Sequence, residues 1–207
     1  MMAAAPGLLE LGEMAKCTRY AVKALGLAEK VGFGAVVFLR PMLAWMYHES
    51  GEFDKGFDIV QEGLDLTRDS DFQGDLTMIG PILHAVRATL GTASGDLSRV
   101  DTDLEVADQL SEQINEGVMD YAGMSIIFET LNIGNARLAS GEFDQVLAAT
   151  DRALDRMGSK GIRCLISDVH RLRGQALWGL GRVDEADAAL AEARGVAEQQ
   201  GSRRALW

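Results

Sequence analysis

LASGEFDQV, residues 138–146, is the stretch that decides how this chain folds, because the phrase recurs. Its other copies are HESGEFDKG at 48–56, TASGDLSRV at 92–100 and GLGRVDEA at 179–186, with a weaker one, LELGEMAKC, at 9–17. The glycines that anchor them, Gly12, Gly51, Gly95, Gly141 and Gly181, stand 39, 44, 46 and 40 residues apart, the period of stacked helix pairs. Two residues after each glycine the position is apolar: Met14, Phe53, Leu97, Phe143 and Val183. Three after it come Asp54, Ser98, Asp144 and Asp184, with Ala15 the exception; they read as N-caps whose side-chain oxygens serve the free amides of a helix starting there. Twelve after it the residue is small in every copy (Ala24, Gly63, Ala107, Ala153, Ala193), which lets a neighbouring helix approach closely. Twenty after it stand Gly32, Asp71, Asn115, Gly161 and Gly201, types that tolerate the left-handed conformation that ends a helix.

The segment before each glycine is helical too. Seven residues upstream lies Ala44, Ala88, Gly134 or Gly174, again a close-packing position. The unit is therefore helix A, a tight glycine turn, helix B and a short connection. The B helices are expected at 13–31, 54–70, 98–114, 144–160 and 184–200, and the A helices at 35–49, 75–93, 118–139 and 163–179, with no sheet. Pro41 and Pro81 fall inside two A helices, so each should start its helix or kink it.

Composition agrees with a helical globular chain. Of the 207 residues 47% are hydrophobic and 25% charged, only three are proline, and Ala, Leu, Glu and Asp favour helix over sheet. The formal net charge of −11 and the absence of any Lys/Arg run exclude nucleic acid as the main partner, since a polyanion would have to be met by a basic patch. The start, MMAAAPGLLELGEMAK, has no basic region and acquires Glu10 and Glu13 before a long apolar run develops, so it does not read as a signal peptide. The longest apolar stretch, near Gly32–Leu39, is too short for a bilayer and ends at Arg40, so no membrane role is expected. Cys17 and Cys164 are too few for a disulfide framework and read as reduced thiols of a cytoplasmic protein.

No chemistry-bearing constellation is found. Asp69, Asp71, Gly74 and Leu76 in DSDFQGDLTMIG sit where a calcium loop would want them, but Gln73 and Gly80 stand where two ligands are needed. Phosphate-binding, dinucleotide, nucleophile-elbow and zinc-protease signatures are absent, so neither metal nor cofactor is expected, and no enzyme. The acids Asp101, Asp103, Glu105 and Asp108 climb helix B at mixed phase and read as a solvated face.

The small residue at minus seven, the glycine, the apolar residue at plus two, Asp at plus three and Ala at plus twelve resemble the tetratricopeptide repeat, with a longer period. HRLRGQALWGLGRVDEADAALAEARGVAEQQGSRRALW, 170–207, resembles the closing repeats of helical regions in large bacterial signalling proteins, namely adenylate cyclases with an ATPase module and ATPase-type transcription activators. That resemblance implies a right-handed α-solenoid of antiparallel helix pairs, about four and a half repeats of 39–46 residues, forming one domain over 1–207. It also implies a concave groove lined by successive A helices. Carried over through the glycines, that face holds Phe38 and Trp45, Thr89, Phe128 and Asn135, then Arg171, Gln175 and Trp178. Only eleven residues precede Gly12 and the chain ends shortly after Gly201, so it is read as a fragment or short relative of a longer array.

A groove of this kind suits a peptide or protein segment, including a covalently linked catalytic or ATPase domain. The function expected is accordingly an interaction or ligand-sensing scaffold, the helical regulatory part of a bacterial signalling protein. The alternative is a self-assembling structural array whose groove is an oligomer interface, or a stripe that is simply core. A second stripe, Arg40, His84, Arg87, Arg137, His170 and Arg173, carries no acid; these cations are expected to pair with helix B carboxylates along the edge of the packing.

Overall fold

A computed structural model of the chain describes residues 12–31, 36–68, 79–113 and 123–203, apart from the side chains of 31, 36–38, 123–128 and 160. Among these residues there are nine α-helices and no strand. They are α1 (Met14–Val31), α2 (Val36–Glu49), α3 (Phe53–Arg68), α4 (Gly80–Ser94), α5 (Val100–Glu112), α6 (Gly123–Ser140), α7 (Phe143–Lys160), α8 (Ile166–Gly179) and α9 (Val183–Gln200), with a 3-10 turn at Leu97–Arg99. Wherever an expected helix end lies within the described residues, the observed end falls within three residues of it. The expected starts at 75 and 118, the acidic stretch 69–78, and Gly32, Asp71 and Asn115 lie outside the described residues.

The anchoring glycines do what their spacing implies. Gly12, Gly51, Gly95, Gly141 and Gly181 all have φ between 73° and 83°, where a side chain would be strained. At three of the turns the next residue's amide reaches back five positions: Glu52 N–H donates to the Tyr47 carbonyl (2.9 Å), Glu142 to Arg137 (3.0 Å) and Arg182 to Leu177 (2.9 Å). These bonds close the orphan carbonyls of the A helix and reverse the chain within three residues. Gly161 and Gly201 end α7 and α9 in the same way, at φ 65° and 64°.

The expected caps are displaced. The helices that follow Gly51, Gly141 and Gly181 begin at plus two, so Asp54, Asp144 and Asp184 lie inside the first turn and do not cap it. Their carboxylates there favour the positive end of the helix dipole instead. α5 is entered differently: Asp96, one residue after its glycine, caps the 3-10 turn by accepting from the Ser98 amide (3.2 Å) and hydroxyl (2.7 Å). Pro81 lies in the first turn of α4, where its missing N–H costs nothing, whereas Pro41 sits inside α2.

The chain forms two compact units, the first holding α1–α5 and the second α6–α9. In the first, α2 packs on α1 and α3, and α4 packs on α2, α3 and α5. In the second, α6 packs on α7, and α8 packs on α6, α7 and α9. Close approaches fix the directions. Gly56 lies by the Ala44 carbonyl and Gly63 by Arg40, so α2 and α3 are antiparallel. Gly91 lies by Asp96 and Val100, and Gly80 by Leu110, so α4 and α5 are antiparallel as well. Gly174 meets Ala186 and Leu190, and the Gln200 side-chain amide donates to the Arg163 carbonyl at 2.8 Å, which reverses α9 on α8.

The small-residue positions are where helices touch. Ala44, Ala88, Gly134, Gly174, Ala107, Ala153 and Ala193 are all buried. A Cβ on Gly174 would stand 2.7 Å from Leu190 Cγ, and one on Gly134 would overlap the Leu172 side chain. Glycine at these positions is thus a packing requirement, set by the leucines of the facing helix.

Candidate functional site

The eight residues expected to line the A-helix face do not share one environment. Phe38 and Phe128 lie on α2 and α6, and their side chains fall outside those described. Trp45 on α2 is 5% exposed and Thr89 on α4 is 3% exposed, its hydroxyl donating to the Ala85 carbonyl at 3.0 Å. These two are core of the first unit and offer a partner no surface. The correction has a physical cause: α4 is mostly apolar around its circumference, with Arg87 paired to Asp103, and such a helix is stable when enclosed. From Gly80 to Gly91 it is buried throughout except at His84.

The second unit keeps the face open. Asn135 on α6 and Arg171 on α8 are half-buried, Gln175 is exposed, and Trp178 is 60% exposed at the end of α8. Gln175 and Trp178 are three residues apart and Arg171 and Gln175 four, so the three follow one line along the helix. Arg171 Nη2 reaches the buried Asp168 at 3.4 Å, while its Nε is buried without a hydrogen-bond partner among the described residues.

The basic stripe pairs as expected, with B-helix carboxylates taking most of it. Arg40 reaches Glu29 of α1 at 2.8 Å and Glu62 of α3 at 3.7 Å, and Arg173 reaches Asp151 of α7 at 2.6 Å. Arg137 lies 3.6 Å from Glu142 in its own turn. His170 is half-buried; burial pulls its imidazole pKa below the ordinary value, against the opposing pull of Glu192 and with the help of Arg173.

Two members of the stripe meet an acid that was expected in solvent. Asp103 of α5 is 1% exposed. It accepts from Arg87 Nε (2.8 Å) and Nη2 (2.6 Å) and pairs with His84 Nδ1 at 2.8 Å. Burial by itself would raise the Asp103 carboxyl, but the hydrogen bonds from His84 and Arg87 and the Arg87 charge outweigh it, so the pKa lies below the usual carboxylate value. The reading of Asp101–Asp108 as one solvated face is therefore wrong at Asp103, because Arg87 and His84 of α4 hold it inside. A signal was present: eight residues after the other four glycines stand Tyr20, Ile59, Ala149 and Ala189, none of them charged.

The Arg87–Asp103 pair forms part of the wall of a pocket of about 220 Å³ in the first unit. Phe57, Asp58 and Gln61 line it from α3, Gly91 from α4, and Asp96, Arg99 and Val100 from the turn into α5. Sequence reading singled out Asp103 and Arg87 for other reasons and missed the rest, which come from three elements with no shared spacing. Among the described residues no group of three His, Cys, Asp or Glu side chains is arranged to hold a metal. No described helix is long and apolar enough to cross a membrane. Comparison with family models, with curated proteins and with solved structures gives no match for this chain.

Proposed function

We propose that this chain is a tetratricopeptide-like interaction module, a right-handed α-solenoid whose working surface is the A-helix face of its second unit. The observation that carries this reading is Trp178, a large aromatic left 60% exposed beside exposed Gln175 and half-buried Arg171. A solvent-exposed tryptophan in a small apolar and amide-rich patch is the kind of residue that dominates an interface once covered. The amides of Asn135 and Gln175 can hold an extended backbone through paired donor and acceptor bonds. The solenoid itself is supported by the repeated left-handed glycines and by packing of one A helix on the next within each unit (α2 on α4, α6 on α8). The partner class is a protein or peptide segment, in the setting of a bacterial signalling protein, with the catalytic or ATPase part on the same chain or another.

The test compares wild type with Trp178→Ala in partner capture and in sedimentation. Binding should weaken by about thirtyfold or more, the ~2 kcal/mol of an interface hot spot, while the helical circular dichroism stays unchanged. Capture that is indifferent to Trp178→Ala overturns the reading. A wild-type dimer that becomes a monomer on the same substitution transfers the surface to the self-assembly alternative.

A further inference from the structure

The pocket of the first unit has a charge pattern that specifies its ligand. Its two buried polar groups are Asp103 and Arg87, 1% and 8% exposed, and Arg87 commits Nε and Nη2 to Asp103. The remaining nitrogen, Nη1, has only Gln61 Oε1 at 3.5 Å, so it keeps donor capacity toward the pocket that it lines. Arg99 and Asp58, also in the lining, are exposed and form no hydrogen bond or ion pair among the described residues. Asp96 uses one carboxylate oxygen, Oδ1, for both of its bonds to Ser98 and leaves Oδ2 available.

Since Arg87 and Asp103 neutralise each other, the groups left to act on a ligand are two carboxylates, Asp58 and Asp96, and one guanidinium, Arg99, with the Arg87 Nη1 donor beside it. A simple anion would be drawn to the arginines but would meet both carboxylates. A simple cation would meet Arg99. A molecule bearing both charges satisfies each side, and a pocket of about 220 Å³ accommodates a small one. Phe57 and Val100 supply apolar wall for a short hydrocarbon part.

We propose that this pocket binds a small zwitterion of the α-amino acid class, its carboxylate at Arg87 Nη1 and Arg99 and its ammonium at Asp58 and Asp96. The site lies wholly in the first unit and does not depend on the Trp178 surface, so either can fail without the other. Binding here would join α3 to the turn between α4 and α5 and thereby stiffen the first unit.

The test is a titration of the intact chain with glycine, L-valine and L-glutamine, and with acetate and ethylammonium as the two halves, followed by the backbone amide signals of Gly91, Asp96 and Arg99. At least one amino acid should shift these signals saturably and bind tenfold or more tighter than either half. Arg99→Gln and Asp58→Asn, both at exposed positions, should each weaken it tenfold or more with the helical signal and the thermal midpoint kept. The proposal is overturned if none of the amino acids saturates by about 10 mM, the regime of negligible affinity. It is equally overturned if acetate binds as well as the amino acids, or if Asp58→Asn leaves binding unchanged.

Discussion

In the first unit α4 touches the preceding A helix, the preceding B helix and its own B helix; in the second, α8 touches the corresponding three. Yet α4 is enclosed from Gly80 to Gly91 except at His84, while α8 buries Ser167, Asp168, Val169, Leu172, Gly174, Ala176 and Leu177 and leaves Gln175 and Trp178 in solvent. Among the described residues these packed neighbours correspond in kind. The side chains differ: Ala85 and Thr89 on one helix stand where the other carries Arg171 and Gln175. A repeat fixes which helices meet, and the residues on the outward side of each A helix decide whether that side is core or surface.

The cations show the same contrast, and the largest predicted effect lies there. Arg87 and Arg173 both stand eight residues before their glycines. Arg87 is paired with an Asp103 side chain 2% exposed, whereas Arg173 is paired with an Asp151 side chain 50% exposed. Asp103→Ala should destabilise by about 3–5 kcal/mol, because it strands a buried guanidinium. Asp151→Ala should cost about 1 kcal/mol or less. The first effect is pH-dependent in a definite sense. The Asp103 pKa is lowered on folding, so its stabilisation is present above the unfolded carboxyl pKa of about 3.9 and is lost as pH falls through the folded value. In chemical denaturation the deficit of Asp103→Ala should therefore shrink below about pH 4. Equal deficits for the two variants would erase the distinction between the units.

Glycines sharpen the comparison within the second unit. Gly174→Leu should destabilise by about 1–3 kcal/mol or more, since the new side chain must displace Leu190 and the Ala186 backbone. The effect should appear as a lower denaturation midpoint with an unchanged slope. Gly195 lies inside α9 with nothing within 4 Å of a would-be Cβ, so Gly195→Ala should stabilise by about 0.5–1 kcal/mol through helix propensity alone. If Gly174→Leu is tolerated, the helix phase assigned to the repeat is wrong.

The helix boundaries at the glycine turns were legible because each is written twice, in the apolar periodicity and in a glycine whose left-handed turn recurs at a fixed offset. The close-packing positions were legible for a related reason: a residue as small as Ala88 or Gly134 at one phase has little other use. Caps were misplaced by two residues, since the five-residue back-bond of the glycine turn puts Glu142 or Arg182 at the cap position and leaves the aspartates in the first turn. The inward turn of Asp103 depends on Arg87, sixteen residues away, and only the antiparallel pairing of α4 with α5 brings them together. The candidate face was half legible. Helical phase grouped its members, but phase carries no information on what encloses a helix, and so Trp45 and Trp178 looked alike.

Those two tryptophans give the most direct test. Single-tryptophan chains, one keeping Trp45 (Trp178→Phe, Trp207→Phe) and one keeping Trp178 (Trp45→Phe, Trp207→Phe), can be compared by acrylamide quenching of their fluorescence. The account predicts a blue-shifted, weakly quenched Trp45 and a red-shifted, strongly quenched Trp178, as 5% and 60% exposure require. Equal quenching of the two, or protection of Trp178 in a chain that sediments as a monomer, would contradict it.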